Sequence, residues 1–269
     1  MLEIIKAILF GIVEGITEWL PISSTAHMIL LNEFVKLKVS PDFFDLFDVV
    51  IQFGAILAVI IFYFKVIWPF KKEKNETKKK FNLWGKILVA CIPAGVLGIL
   101  LDDCIKDDPI LIAIMLILYG IIFIVLENKH VGKQATKSLD DISYKQALSV
   151  GLFQVLALIP GTSRSGATII GGLITGLKRS TAVDFTFLVA IPVMFGASSL
   201  KLLKYVSNYG FNFTSIELGI LIVGCLIAFI VSMLVIRTLL NYIKNHDFKI
   251  FGWYRIVLGI IVLLYFIIK

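Results

Sequence analysis

The stretch EGITEWLPISSTAH, residues 14–27, places two acids, four hydroxyl groups and a histidine at the end of an apolar segment that covers residues 2–19. Pro21 has no backbone N–H and interrupts a helix. The apolar residues that follow, 28–35, are too few to cross a membrane. This order predicts a re-entrant helical hairpin, which is tolerated at membrane depth only where it lines a cavity or is covered by protein.

A second stretch of the same kind, PGTSRSGAT at residues 160–168, follows the apolar segment 146–159. It contains two glycines, four hydroxylated residues and Arg164, and the apolar residues 167–177 after it are again too few to span. An arginine in an apolar hairpin is costly and by default marks a functional site. The sequence therefore predicts a second re-entrant hairpin with its own polar turn.

The composition indicates that lipid surrounds the chain. Of its 269 residues 58% are hydrophobic, whereas soluble domains have about 45–50%. We predict an all-α polytopic membrane protein with a single integral membrane domain, residues 1–269. Six apolar runs approach the length of roughly 20 residues that a spanning helix needs. These runs are 49–64, 83–101, 110–126, 182–203, 216–236 and 250–268.

The charged residues lie between the apolar runs and predict an orientation. The net charge of +7 comes from clusters without interleaved aromatic stripes, so we predict no nucleic-acid binding and instead an attraction to anionic lipid headgroups. Segment 65–86 contains eight lysines, whereas segment 102–108 contains four aspartates and one lysine. The positive-inside rule places the first in the cytoplasm and the second outside. Segment 127–145 is again rich in lysine and predicts a return to the cytoplasm.

The two halves of the chain resemble each other. KAILFGIVE at residues 6–14 matches KQALSVGLFQ at 145–154, and each hairpin is followed by the tripeptide FGA, at 53–55 and 195–197. We predict repeat halves at approximately 1–126 and 145–269, joined by a cytoplasmic loop. An odd number of spans separates the hairpins, so the halves have opposite orientations. This is an inverted-topology repeat, in which the broken helices meet at a central site.

The first motif predicts binding of a cation and an anion. Glu14 and Glu18 share one helix face, where a bridging divalent ion such as Mg²⁺ would relieve their repulsion; an interfacial pair in water is the alternative. Ser23, Ser24 and Thr25 stand at a restarting helix, where they form an anion site or simply cap the helix. A histidine beside them is a candidate base, acid or nucleophile, although a lone histidine is more often structural.

The second motif predicts a phosphate site. The planar guanidinium of Arg164 matches phosphate oxygens, unless it is a structural partner of Glu14 or Glu18. Gln154 occupies the repeat position of Glu14 and is expected to line the same cavity. Two interpretations of Arg255 stay open: an anchor at the membrane interface, or a cation with a functional role. The three cysteines have no metal-like spacing and are interpreted as small apolar residues.

At these two motifs the sequence resembles the undecaprenyl-diphosphatase family, historically called bacitracin-resistance proteins. The family patterns are EGxTEFLPxSSTGH and PGxSRSG. The chain matches them at 14–27 and 160–166, with Trp19 for Phe and Ala26 for Gly, and weaker likeness continues at 185–192 and 254–259. The methyl group of Ala26 is expected near His27, where it narrows the pocket.

The resemblance implies the hydrolysis of undecaprenyl diphosphate to undecaprenyl phosphate and inorganic phosphate, which recycles a carrier lipid for peptidoglycan synthesis and confers bacitracin resistance. It also implies a divalent cation, Mg²⁺ or Ca²⁺, and a bacterial inner-membrane site that opens towards the extracytoplasmic face. The expected partners are a polyprenyl diphosphate and membrane lipid, and a homodimer is a further prediction. A polyprenyl-phosphate flippase or transporter and a non-catalytic headgroup-binding scaffold are the alternative functions.

The predicted site draws on both motifs. In this hypothesis Ser24 is a nucleophile activated by His27, or His27 itself attacks or activates water. The predicted catalytic residues are Glu18, Ser24, His27 and Arg164. The predicted metal ligands are Glu14 and Glu18. The predicted substrate-binding residues are Ser23, Thr25, Gln154, Gly161, Thr162, Ser163 and Ser165.

Overall fold

A computed structural model describes residues 1–70, 72–101, 108–129 and 138–268. Within these ranges the chain forms eleven α-helices and a short 3₁₀ turn at Leu156–Leu158, without an extended strand. The helices are α1 (Leu2–Thr17), α2 (Ser24–Phe34), α3 (Pro41–Phe62), α4 (Phe64–Ile67), α5 (Lys74–Leu101), α6 (Pro109–Asn128), α7 (Tyr144–Val155), α8 (Arg164–Ile174), α9 (Arg179–Tyr209), α10 (Ser215–Asn245) and α11 (Lys249–Ile268).

Six of these helices are long and apolar enough to cross a membrane: α3, α5, α6, α9, α10 and α11. Five of them contain a whole predicted span, and α3 covers the sixth, 49–64, up to Phe62. The prediction of an all-α polytopic membrane protein is confirmed. Their outer faces carry many exposed aliphatic side chains, such as Leu234 on α10 and Ile267 on α11. Such an exterior suits lipid and not water.

Helix α5 begins earlier than the sequence suggested. The basic segment 65–86 lies largely between the predicted spans 49–64 and 83–101, but α5 already begins at Lys74, so much of that segment is helical. Lysine and glutamate are good helix formers, and a spanning helix continues into the polar region when no proline or glycine stops it. Residue 71, most of the acidic segment 102–108, and residues 130–137 lie outside the described residues. The orientation across the membrane stays a prediction.

Both polar motifs fold as helix–turn–helix pairs. Helix α1 is broken before α2, which Ser23 caps by accepting from the backbone N–H of Ala26 at 3.4 Å. Helix α7 is broken before α8, which Ser163 caps in the same way from Gly166 at 3.2 Å. Ser23 and Ser163 have φ values of 73° and 72°, and they are the two non-glycine residues with positive φ in the described ranges. Re-entry of each pair into the membrane from one side stays a prediction.

The first helices of the two pairs pack against the opposite half of the chain. Helix α1 lies against α10, and α7 lies against α5. Glycines permit both approaches: a Cβ on Gly15 would lie 2.8 Å from the carbonyl oxygen of Ala228, and a Cβ on Gly151 would collide with the carbonyl of Ala90. Each predicted half therefore supplies a long helix that supports the broken helix of the other.

Two further interfaces join equivalent elements. Helix α3 packs on α9, where Phe53 and Phe195 of the two FGA tripeptides meet edge to face with ring centroids 5.6 Å apart. Helix α6 packs on α11 through Gly120 and Gly252, each of which faces the carbonyl oxygen of the other. These reciprocal contacts are the arrangement expected around a local twofold axis. The exact division into repeat halves stays a prediction.

A buried ion pair joins the ends of three helices away from the polar motifs. The carboxylate of Glu127, near the end of α6, is only 1% exposed. Arg179 at the start of α9 donates from Nε to Oε1 at 2.9 Å and from Nη2 to Oε2. The backbone N–H of Phe248, just before α11, donates to Oε1 at 3.1 Å. One carboxylate thus holds α6, α9 and α11 together.

Replacement of Arg179 by alanine should destabilise the fold, because it leaves the Glu127 carboxylate buried without its cation. We expect a loss of about 3–5 kcal/mol, the usual cost of breaking a buried pair from one side. Thermal unfolding in detergent measures it, with Lys178→Ala at the exposed neighbouring position as the control. Equal melting temperatures of the two variants would contradict the assigned role of this pair.

Candidate functional site

Glu18 connects the turns of the two helix–turn–helix pairs. Its side chain, at the end of α1, is 8% exposed. Oε1 accepts from Nη2 of Arg164 at 3.1 Å, and Oε2 accepts from the hydroxyl of Ser24 at 2.6 Å. One carboxylate therefore holds a guanidinium from the second pair and a hydroxyl from its own pair. This contact brings three of the four predicted catalytic residues together.

The guanidinium of Arg164 has hydrogen-bond donor capacity beyond its contact with Glu18. Besides Glu18, it donates from Nη1 to the carbonyl of Thr186 at 3.3 Å, and it lies 5.7 Å from the ring centroid of Trp19. Its Nε is buried and has no hydrogen-bond partner among the described residues. The contact with Glu18 matches the structural alternative of the sequence analysis, and the remaining donor capacity also suits an anionic ligand.

The other polar residues of the second turn hold the backbone of the site. The Ser165 hydroxyl lies 3.1 Å from that of Ser163 and within hydrogen-bonding distance of the carbonyls of Glu18 (3.3 Å) and Leu20 (3.2 Å). Gly161 has a φ of 88° and packs against α6 so closely that a Cβ would lie 2.6 Å from the carbonyl oxygen of Ile112. These contacts indicate that Gly161, Ser163 and Ser165 shape the turn.

Both ring nitrogens of His27 have partners other than Ser24. Its Nδ1 lies 2.7 Å from the carbonyl oxygen of Ser23, and its Nε2 lies 2.7 Å from the hydroxyl of Tyr254 on α11. The two rings are parallel, 5.6 Å apart. Because a carbonyl only accepts, Nδ1 carries the proton and Nε2 accepts from Tyr254. The structure thus pairs the Ser24 hydroxyl with Glu18, whereas the sequence had suggested His27 as its partner.

Several buried polar atoms at the two motifs have no partner in the described part of the chain. They include Oε1 of Glu14 and both amide atoms of Gln154, in residues that are 1% and 2% exposed. Buried polar groups are normally hydrogen-bonded, so these atoms mark positions for water, an ion or a ligand. Glu14 and Gln154 occupy equivalent repeat positions. Thr162 is fully buried beside the hydroxyl of Tyr119. Thr25 is half-buried in the first turn of α2.

The acidic pair fits a magnesium ion that shares its ligands with a substrate. Glu14 is buried and experiences the negative charge of Glu18. Within the described ranges no group of three or more His, Cys, Asp or Glu side chains is arranged around one point. Mg²⁺ does not need such a group, because it commonly takes one or two carboxylates together with water and phosphate oxygens. The residues present suit that arrangement.

Two residues near the site were missed or left open by the sequence analysis. Tyr254 was not assigned, although it lies beside Arg255 in the predicted span 250–268. Arg255 is fully buried, so it is not an interfacial anchor. The rule that singled out Arg164, the cost of an arginine inside an apolar segment, would have indicated Arg255 as well.

Ala26, which replaces the glycine of the family pattern, packs in an apolar cluster. Ala26 is 1% exposed and belongs to an apolar cluster with residues of α6 and α11, including Leu116 and Val262. Its methyl group is accommodated by this packing.

Six spanning helices and a buried site of carboxylate, hydroxyl, imidazole and guanidinium groups define a class: a multi-pass membrane protein whose site suits an anionic headgroup. The family model described as bacitracin resistance protein BacA matches residues 7–261, and the chain belongs to that family.

Relatives over nearly the whole length are named undecaprenyl-diphosphatase. A protein of Enterococcus faecalis is 57% identical, with 98% of this chain and 97% of its own length covered. One of Lachnoclostridium phytofermentans is 58% identical, covering 99% and 98%. Undecaprenyl-diphosphatase 1 of Clostridioides difficile is 54% identical, covering 99% and 97%.

The contacts of His27 predict its tautomer. In nitrogen NMR of the protein labelled at histidine, Nδ1 should be the protonated nitrogen and Nε2 the unprotonated one in the neutral ring, because Ser23 offers only an acceptor. Tyr254→Phe removes the donor to Nε2 and should shift that resonance, whereas Trp253→Phe at the exposed neighbouring position should not. A ring protonated at Nε2 in the wild type would contradict the assigned hydrogen bonds.

Proposed function

We propose that the chain hydrolyses undecaprenyl diphosphate to undecaprenyl phosphate and inorganic phosphate. Membership of the family and the names of its relatives support this activity. The structural observation that carries it is the double contact of Glu18, with Ser24 at 2.6 Å and Arg164 at 3.1 Å. Such an activity would recycle the carrier lipid of peptidoglycan synthesis and thereby confer bacitracin resistance.

Ser24 is the nucleophile that the geometry supports best. As its Oγ forms a bond to the terminal phosphorus, Glu18 takes the hydroxyl proton through the contact already in place. The bond from that phosphorus to the bridging oxygen breaks, and the proton passes to the departing monophosphate. Glu18 then takes a proton from the water that hydrolyses the phosphoserine, and returns it to Ser24. Phosphate leaves and the site is restored.

Two alternative steps use His27. In the first, water attacks the phosphorus and His27 takes its proton at Nε2, which now accepts from Tyr254. In the second, Nε2 of His27 itself attacks the phosphorus. Both versions require the headgroup to displace Tyr254. The proposal therefore gives Ser24 and Glu18 precedence, because their contact needs no rearrangement.

Arg164 and the second turn would hold the transferred phosphoryl group. The buried Nε and the planar guanidinium can take up charge that develops on the phosphoryl oxygens. The unpartnered amide of Gln154 offers a further donor. The hydroxyl groups of Thr162, Ser23, Thr25, Ser163 and Ser165 would contribute further donors from the two turns. The incoming diphosphate would compete with Glu18 for Arg164, which frees the carboxylate to act as a base.

Glu14 and Glu18 would hold a divalent cation, Mg²⁺ or Ca²⁺. The unpartnered Oε1 of Glu14 supports this assignment. The ion would neutralise charge on the diphosphate oxygens when bound.

We further propose that the protein resides in the bacterial inner membrane and that its site opens towards the extracytoplasmic face, with the polyprenyl tail in lipid between helices. The lysine distribution of the sequence supports the orientation. Tyr254 on α11 is exposed and contacts the half-buried His27 on α2, so we propose that the lipid headgroup enters between these two helices. A homodimer stays a prediction.

Loss of the site side chains should strongly lower phosphate release from undecaprenyl diphosphate in detergent. We expect Arg164→Ala to lower kcat by about 10²–10³-fold, as removal of one charge-stabilising donor does, and Ser24→Ala to lower it at least as much. Thr238→Ala removes an exposed hydroxyl from α10 and is the matched control. Full activity of a folded Arg164→Ala protein would refute the site.

Release by the wild type in micelles also distinguishes hydrolysis from lipid flipping, which needs two membrane faces. Acid quenching followed by mass spectrometry identifies the attacking group. Phosphate on Ser24 supports the proposed nucleophile, phosphate on His27 supports the histidine route, and an unmodified protein supports water.

Removal of divalent metal should stop the reaction. Chelation with EDTA is expected to abolish phosphate release, and added Mg²⁺ or Ca²⁺ to restore it. Glu14→Gln should raise the metal concentration that gives half-maximal rate, because one of two carboxylate ligands is lost. Glu76→Gln is the control, because Glu76 is a partly exposed glutamate on α5, away from the site. Undiminished activity in EDTA would exclude the metal assignment.

A further inference from the structure

Arg255 is a buried cation that the proposed reaction does not use. It lies on α11, and its side chain is fully buried. Its five hydrogen-bond acceptors are all backbone carbonyl oxygens, so it differs from Arg164 and Arg179, which each bind a carboxylate. The acceptors are those of Pro21, Met115, Leu116, Gly161 and Thr162.

Three of those carbonyls belong to the two polar turns. Nη1 donates to Pro21 at 3.2 Å, while Nη2 donates to Gly161 at 2.8 Å and to Thr162 at 3.0 Å. Carbonyls at a helix break have no partner within the helix and must find donors elsewhere. A single guanidinium from a helix outside both pairs supplies them for both turns.

These turns carry backbone strain directly beside the reacting groups. Ser23 and Ser163 have positive φ values, a conformation that costs non-glycine residues about 1–3 kcal/mol and persists only where the surroundings impose it. Arg255 binds the carbonyls of Pro21 and Thr162, which lie two residues before Ser23 and one residue before Ser163. Ser24 and Arg164 follow directly after these two serines.

A rigid helix contact sets the position of Arg255. Helix α11 meets α6 backbone to backbone: a Cβ on Gly252 would lie 2.8 Å from the carbonyl oxygen of Gly120. Gly259 makes a similar approach to Ala113, at 2.9 Å. The guanidinium also lies 5.5 Å from the ring centroid of Tyr119 on α6. The contact between α11 and α6 therefore fixes the backbone position from which the Arg255 side chain extends.

We propose that Arg255 is a positioning residue that sets the placement of Ser24 on one turn relative to Arg164 on the other. It acts through the carbonyls of both turns and does not touch the substrate. The inference rests on the proposed phosphatase function for its kinetic consequence, whereas its structural consequence is independent of that function. Lysine cannot replace it, because one ammonium nitrogen cannot reproduce a planar fork that spans three carbonyls.

The test compares Arg255→Lys with Arg179→Lys in the full-length protein. Arg179 is a partly buried arginine that binds the buried carboxylate of Glu127 away from the two turns, so its variant controls for loss of stability. A misplacement of about 1 Å costs about 100-fold in rate. We expect Arg255→Lys to lower kcat by about 10–100-fold with little change in KM, and Arg179→Lys to retain kcat despite a lower melting temperature.

Hydrogen exchange measured by mass spectrometry gives a readout that needs no activity. Arg255→Lys should accelerate exchange in both turns, residues 18–26 and 159–167, whereas Arg179→Lys should not. Unchanged exchange in the two turns would overturn the inference, whether or not the wild type releases phosphate. A wild type that shows no release under any condition would instead refute the proposed function alone.

A second pair of variants keeps the test decisive if Arg255→Lys does not fold. Gly252→Ala pushes α11 away from α6 one turn before Arg255. Gly54→Ala is the matched control, because it creates a backbone collision of the same kind between α3 and the carbonyl of Cys225 on α10, away from Arg255. We expect faster exchange in both turns for Gly252→Ala and not for Gly54→Ala. Identical exchange in the two variants would overturn the assignment of Arg255 as the contact that holds the turns.

Discussion

Backbone carbonyls that a broken helix leaves without partners must find donors inside the protein, because lipid offers none. Most of the polar chemistry of this molecule follows from that constraint. Ser165 lies within reach of the carbonyls of Glu18 and Leu20, His27 bonds to that of Ser23, and Arg255 takes those of Pro21, Gly161 and Thr162. The side chains that the turns need for their own stability are thus the same kinds that bind phosphate.

The two turns share a geometry but differ in charge. Both helices that follow are capped by a serine with positive φ, and both turns are reached by Arg255. The first turn carries the acids, a hydroxyl and the imidazole, and the second carries the guanidinium. The ion pair of Glu18 with Arg164 joins these opposite charges across the repeat. Neither half alone contains a complete site.

The sequence predicted the architecture better than it predicted the partners within the site. Apolar length alone located the six spans, and the prolines located both helix breaks. Helix α5 was longer than its apolar part, because lysine continues a helix beyond the lipid-facing residues. The pairing of His27 with Tyr254 could not be read from local spacing, since 227 residues separate them. His27 is three residues from Ser24 and Glu18 is six, so spacing alone favoured His27, whereas the path of the turn brings Glu18 to the hydroxyl.

The packing of α1 against α10 has a consequence for biosynthesis. The first broken helix is made early, but its supporting helix is the last but one to leave the ribosome, and Arg255 follows on the last. The N-terminal pair must therefore wait in the membrane or its insertion machinery with its polar turn uncovered. Catalytic competence is gained only at the end of synthesis, so an interrupted chain would carry both polar motifs and still be inert.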